Sequence, residues 1–83
     1  MNIKEILAKN VKKYRIQLGY SQEDLAGICS SLRENDGLTN RSFISDIENC
    51  RRNIALDKIE LLALALDIEP YQLFLTKNPG ETI

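Results

Sequence analysis

The sequence contains no histidine and no tryptophan, and it has only two cysteines, four glycines and two prolines among 83 residues. Without histidine, and with Cys29 and Cys50 lacking spacing partners, no zinc or other metal site is expected. There is no glycine-rich phosphate loop and no nucleophile with a base nearby, so we expect neither enzyme activity nor a cofactor. Both cysteines are expected to be reduced cytosolic thiols that pack as small apolar side chains.

Long apolar runs are also missing. The sequence has no stretch of about 18 or more apolar residues, the length that a membrane-spanning helix needs. The lysines of the first 13 residues interrupt any apolar core of a secretion signal. The length allows a single domain, which at this size buries roughly 60% of its unfolded surface. We therefore predict one cytoplasmic domain over residues 1–77 and a flexible tail over 78–83, with no membrane partner.

Charge is unevenly distributed, although the net charge is only −1. Residues 1–18 carry +4 and residues 39–52 carry +1, whereas residues 19–38 and 53–83 carry −3 each. Binding to nucleic acid depends on local phosphate contacts more than on the whole-chain sum. The pattern is compatible with a DNA-binding N-terminal part and an acidic C-terminal part that points away from DNA or toward a partner.

Apolar residues at three- and four-residue spacing predict a compact all-α bundle of five helices. The first helix spans about 2–18 and ends at Gly19, a typical C-cap residue. Ser21 and Asp24 form a box-like start for the second helix, and Asn40 is an N-cap residue for the third. The fourth helix covers about 56–66 and is apolar nearly all round. A short fifth helix begins at Pro70.

The second and third predicted helices contain the halves of a helix-turn-helix, but the segment between them, 27–39, is longer than the usual turn. Seven extra residues make about two helical turns. The second helix could therefore continue to Arg33 or Glu34, with a turn at Asn35–Gly37. Alternatively it is short, and residues 30–39 form a loop. We favour the extension, although Gly27 within the helix weakens it by about 1 kcal/mol.

Three strings together resemble the lambda-repressor-like, Cro-type helix-turn-helix family. They are Arg15-Ile16-Gln17-Leu18-Gly19, Ser21-Gln22-Glu23-Asp24-Leu25-Ala26 and Ile44-Ser45-Asp46-Ile47-Glu48, and the resemblance covers about residues 6–75. The string Arg52-Asn53-Ile54 is most similar to restriction–modification controller proteins within this family. The resemblance implies an ion pair between Arg15 and Glu48 that ties the first helix to the recognition helix. A surface ion pair that contributes little is the alternative.

The third helix is the expected recognition helix, whose N-terminal part enters the major groove. Base contacts are predicted for Arg41, Ser42 and Asp46, because arginine suits guanine and a carboxylate can accept from cytosine N4. Asp46 could instead orient Arg41 or Arg51. Phosphate contacts are predicted for residues near the ends of the motif's helices: Gln22, Asn40, Ser45, Asn49, Arg51 and Arg52. Phe43 packs on the second helix or contacts a thymine methyl.

Family members bind DNA as dimers on half-sites about 34 Å apart, which predicts double-stranded DNA and a second copy of the chain as partners. The apolar surface of the last two helices supplies the candidate dimer residues: Leu61, Leu64, Ile68, Tyr71 and Phe74. Some of these could simply close the core. The predicted function is a homodimeric, sequence-specific transcriptional regulator on a palindromic operator, with RNA polymerase as a further candidate partner. An antitoxin-type protein-interaction module is the alternative.

Overall fold

The computed structural model describes residues 2–32 and 40–76. Within these ranges the chain forms four α-helices and one 3₁₀ helix and contains no strand, so the all-α prediction is confirmed. The elements are α1 (Ile3–Gln17), α2 (Gln22–Leu32), α3 (Arg41–Glu48), α4 (Leu56–Ala65) and the 3₁₀ helix (Pro70–Phe74). None of the described helices has both the length and the apolarity that a membrane span requires.

Side-chain caps define where the helices begin. Asn2 and Glu5 form a reciprocal capping box at the start of α1, and Ser21 and Asp24 do the same before α2, with distances of 2.9 Å for both bonds. The Asn40 side chain accepts a hydrogen bond from the backbone N–H of Phe43 and so caps α3. Each cap satisfies an N–H that the helix leaves without a partner.

Three helices end in the same way, with one residue in the left-handed region. That residue is Gly19 after α1, Cys50 after α3 and Asp67 after α4, with φ values of 78°, 60° and 58°. At the end of α3, the N–H of Arg51 donates to the carbonyl of Asp46 (2.8 Å), which completes a Schellman motif. The chain therefore reverses at Cys50 and returns along the last turn of α3.

The core lies where α1, α2, α3 and α4 meet. Its fully buried side chains include Val11, Leu25, Ile44, Leu62 and Leu73. Helix α1 packs against α3 and the 3₁₀ helix, and α2 packs against α3 and α4. The predicted apolar stripe of the first helix is buried at Leu7 and Val11, whereas its ends, Ile3 and Leu18, are exposed.

Asn10 is the one polar side chain in the buried core of the described residues. Its Nδ2 donates to the backbone carbonyls of Leu73 (2.8 Å) and Leu75 (2.9 Å). These bonds hold the chain extended at Leu75 directly after the 3₁₀ helix. The fifth predicted helix is therefore a 3₁₀ helix of five residues that starts, as predicted, at Pro70.

Helix α2 continues to Leu32, beyond the point where the alternative prediction placed a loop. The predicted end at Arg33 or Glu34 and the turn at Asn35–Gly37 lie outside the described residues. The same holds for the predicted flexible tail, 78–83. The role of the 27–39 insert therefore stays a prediction.

Candidate nucleic-acid interface

Helices α2 and α3 pack against each other and against the rest of the core, and the buried side of α3 consists of Phe43, Ile44 and Ile47. With this side in the core, Arg41 and Ser42 are exposed in the first turn of α3. Ser42 and Asp46 are four residues apart and therefore lie on the same side of the helix. The geometry leaves the predicted DNA-reading side of α3 open to solvent.

Arg15 and Glu48 form an ion pair that joins α1 to the last turn of α3. Arg15 donates to Glu48 through Nε (2.7 Å) and Nη2 (3.0 Å), and its Nη1 donates to the carbonyl of Tyr20 (2.8 Å). The side chains are only 11% and 4% exposed, respectively. The hydrogen bonds with Glu48 raise the pKa of Arg15. This bidentate, nearly buried geometry is much more restrictive than a surface ion pair.

Gln22 belongs to the same cluster. Its Nε2 donates to Oε1 of Glu48 (3.2 Å), so the side chain at the start of α2 is also linked to α3. Gln22 was predicted to contact a phosphate; here it is half-buried and oriented by Glu48. One carboxylate thus links three helices, α1, α2 and α3, and sets the position of α3 within the domain.

A second cluster lies at the C-terminal end of α3. Asp46 accepts from Nε of Arg51 (3.2 Å) and Nη2 of Arg52 (3.3 Å). Arg51 also reaches Oγ of Ser45 (3.4 Å), to which the Asn49 amide donates as well. Hydrogen bonds from Arg52 first, and then Arg51, hold the pKa of Asp46 below its ordinary value. The structure thus brings five predicted site residues into one network.

Arg52 is positioned by an aromatic side chain as well as by Asp46. Its guanidinium lies 5.3 Å from the centre of the Phe43 ring, a cation–π distance. The Nε atom of Arg52 is buried and has no hydrogen-bond partner among the described residues. Phe43 itself is buried, so of its two predicted roles the structure supports packing and not a thymine contact.

The other predicted site residues are distributed over two surfaces. Asn40 and Arg41 are exposed at the N-terminal end of α3. In α4 and the 3₁₀ helix, Leu64 and Tyr71 are 62% and 65% exposed. Ile68, which lies between these two elements, and Phe74 are half-buried. Leu61 was predicted to lie on the dimer surface, but it is 1% exposed and belongs to the hydrophobic core.

Sequence reasoning missed two residues that shape these surfaces. Leu56, which is 83% exposed, extends the apolar surface of Tyr71, and both line a groove of about 410 Å³ together with Ile59 and Phe74. Cys50 sets the reversal that brings Arg51 and Arg52 back to Asp46. The helical spacing of Leu56 relative to Ile59 was available as a signal. For Cys50 no local signal existed, since cysteine is not a typical left-handed residue.

Comparison with known proteins places this geometry among relatives. A family model described as a helix-turn-helix domain matches residues 8–79. A protein named "hypothetical transcription factor" from Neisseria meningitidis serogroup B is 40% identical over 74 residues, which are 89% of this chain and 62% of that protein. The crystal structure of the hypothetical transcription factor NHTF from Neisseria is 40% identical and superimposes with a TM-score of 0.77, covering 96% of this chain and 80% of that chain.

Two further relatives carry names from restriction–modification systems. The control protein C.SmaI of Serratia marcescens is 43% identical over 67 residues, 81% of this chain and 70% of the relative. The crystal structure of the restriction–modification controller protein C.AhdI from Aeromonas hydrophila is 37% identical with a TM-score of 0.72, covering 86% of this chain and 96% of that chain. The resemblance predicted from the three sequence strings and from Arg52-Asn53-Ile54 is confirmed.

Proposed function

The chain belongs to the helix-turn-helix domain family, and from this premise we propose that it is a sequence-specific regulator of transcription that binds double-stranded DNA. We further propose that it acts as a homodimer on a palindromic operator, as a controller of a restriction–modification system. The names of its relatives, a transcription factor and control proteins, support this assignment. The chain spans 62% of the length of the Neisseria relative.

The observation that carries the proposal is the outer side of α3. Arg41 and Ser42 are exposed in its first turn, and the Arg15–Glu48 ion pair fixes the helix against the domain. A recognition helix reads base edges with residues near its N-terminus. An arginine there can donate two hydrogen bonds to guanine. Asn40, Gln22 and the arginines after α3 flank this side and are proposed to contact the two DNA backbones.

The homodimer is supported by the apolar side chains of α4 and the 3₁₀ helix. Leu56, Leu64 and Tyr71 are large, apolar or aromatic, and exposed. Leu56 and Tyr71 line one groove, and an exposed apolar patch on a small protein commonly marks an interface. A two-fold axis through this surface would present two copies of α3 to successive turns of one DNA face, about 34 Å apart. Described residues provide no specific contact for RNA polymerase, so the proposal does not extend to it.

Selection of bound sequences from random duplexes tests this function. We expect an enriched palindrome whose half-sites are separated by about one helical turn, and binding that weakens steeply with salt. The Arg41→Ala variant should lose the preference for guanine at one position of each half-site and bind the selected sequence more weakly. Enrichment of a single half-site without symmetry would contradict the homodimer, and no enrichment by the unmodified chain at low salt would contradict DNA recognition altogether. A partner protein whose binding survives Arg41→Ala and Gln22→Ala would instead favour the antitoxin-type alternative.

A further inference from the structure

Asp46 is an acidic residue on a surface that is proposed to face a polyanion. Among the charged residues of α3 and the segment that follows it, Asp46 is paired with both Arg51 and Arg52, at 3.2 and 3.3 Å. These three side chains are 28%, 59% and 36% exposed, so the pairs are accessible to solvent. In this arrangement two of the cations best placed for phosphate share one protein carboxylate as their counter-ion.

The arrangement follows from the backbone and is therefore built into the domain. The left-handed residue Cys50 returns the chain along α3, and the N–H of Arg51 donates to the carbonyl of Asp46. Arg52 is held from its other side by the ring of Phe43. Because the backbone brings both arginines to one carboxylate, Asp46 has a position from which it can control how strongly they attract phosphate.

Asp46 also lies on the base-reading side of α3. It is four residues from Ser42, so these two side chains share one side of the helix, and Arg41 is exposed beside Ser42 in the first turn. A carboxylate in the major groove can accept from the N4 amino group of cytosine. Guanine and thymine offer it only acceptors, N7 and O6 or O4, and adenine offers an N6 donor beside its N7 acceptor. The group that holds the arginines in the free protein can thus gain a favourable contact only at particular sequences.

We infer that Asp46 is an exchangeable counter-ion that determines specificity: it pairs with Arg51 and Arg52 in the free protein and on random DNA, and accepts from a cytosine amino group on the operator. This inference deepens the proposed function and rests on it. On the operator, Arg51 and Arg52 pair with DNA phosphates while the Asp46 carboxylate accepts a hydrogen bond from the cytosine. On random DNA the released carboxylate would face acceptors, so the arginines stay paired and non-specific binding stays weak.

The Asp46→Asn variant tests the exchange. Removal of the counter-ion frees two arginines for phosphate, so we expect the affinity for a random duplex to rise at least about tenfold at low salt. The slope of log K against log salt should steepen by about 0.9 to 1.8, one to two additional phosphates. Affinity for the operator should rise much less, so that discrimination falls. Fluorescence anisotropy with labelled duplexes measures both quantities.

Glu23→Gln is the matched control. It removes one negative charge from an exposed position in the first turn of α2, next to the proposed phosphate contact Gln22, without releasing the arginines. We expect less than about a threefold change in random-duplex affinity and no change in the salt slope. A triple variant, Asp46→Asn/Arg51→Gln/Arg52→Gln, should lose the gain of the single variant. Circular dichroism confirms that each variant is folded.

Sequence selection with Asp46→Asn gives the second readout. The unmodified chain should prefer cytosine at one position of each half-site, and the variant should lose that preference while it keeps the guanine preference assigned to Arg41. Equal random-duplex affinities for the variant and the unmodified chain would overturn the inference, and so would an unchanged cytosine preference. If the unmodified chain discriminates between operator and random DNA in the same experiment, such a result leaves the proposed function intact.

Discussion

The polar side chains of α3 and the apolar side chains of α4 and the 3₁₀ helix differ in whether they have partners within the domain. At α3, polar groups are tied to one another: Glu48 binds Arg15 and Gln22, and Asp46 binds the two arginines that follow. At α4 and the 3₁₀ helix, Leu56 and Tyr71 extend into solvent and line a groove. The contrast supports the proposal that the first surface is positioned in advance for DNA and that the second is covered by another copy of the chain.

The largest effect on stability is expected from Glu48→Ala, which removes the carboxylate that links α3 to α1 and α2. The substitution leaves the Arg15 guanidinium, 11% exposed, without its carboxylate, and Gln22 without an acceptor. Loss of one partner of a buried ion pair is expected to lower the free energy of unfolding by about 3 kcal/mol. Urea denaturation followed by circular dichroism measures it.

A double variant separates stability from positioning at the same site. In Arg15→Leu/Glu48→Leu both charges are removed, so most of the lost stability should return. DNA affinity should not return, because α3 is then no longer held by directional bonds. If the double variant recovers operator binding together with stability, the pair does not position α3.

Asn10→Ala is expected to have the next largest effect, because the buried Asn10 side chain holds the 3₁₀ helix that carries part of the apolar surface. The carbonyls of Leu73 and Leu75 lose their donor, and buried carbonyls without a partner should lower the free energy of unfolding by about 2 kcal/mol. Lys9→Ala, at the exposed neighbouring position, should change it by less than about 0.5 kcal/mol. Equal losses in the two variants would show that the Asn10 bonds are unimportant.

Tyr71→Ala should weaken self-association without destabilising the domain. The side chain is 65% exposed, so the monomer loses little, whereas an aromatic residue at the centre of an interface commonly contributes about 2 kcal/mol to binding. Sedimentation equilibrium of the variant and the unmodified chain gives the dimer dissociation constants. An unchanged dissociation constant would place the interface elsewhere, and a monomeric unmodified chain would contradict the homodimer.

The smallest effects are expected at the two helix ends with matched geometry. Gly19→Ala should lower the free energy of unfolding by about 1 kcal/mol, because alanine is strained at a φ of 78°. The loss should be no larger, since the added Cβ meets no atom within 4 Å. Cys50→Gly should raise it by about 0.5 kcal/mol, since glycine removes the strain at φ 60° but also loses a half-buried side chain. Thermal unfolding of both variants compares them, and effects of the same sign would contradict this account.

The helix starts and the end of α1 could be predicted because their signals are local. Ser21 with Asp24, Asn40 and Gly19 act within three or four residues of themselves, and the structure has each in the expected role. The Arg15–Glu48 pair could be proposed from resemblance to relatives, although the two residues are 33 positions apart.

The remaining features depend on long-range packing and had no local signal strong enough to decide them. Asn10 interrupts an apolar stripe, but its partners lie 63 and 65 residues away. Helix α4 is apolar on nearly every side, so the pattern could not tell that Leu61 is buried and Leu64 exposed. For Asp46 both a base contact and pairing with an arginine were open, and the reversal at Cys50 brings the arginines to it.

The central claim is that the exposed side of α3 reads the sequence of duplex DNA, and the affinity ratio between the selected operator and a scrambled duplex tests it most directly. The unmodified chain is expected to bind the operator at least about a thousandfold more tightly than the scrambled duplex at physiological salt. Arg41→Ala should reduce that ratio by about tenfold or more in each half-site, because one guanine contact is lost. A ratio that Arg41→Ala leaves unchanged would contradict the account.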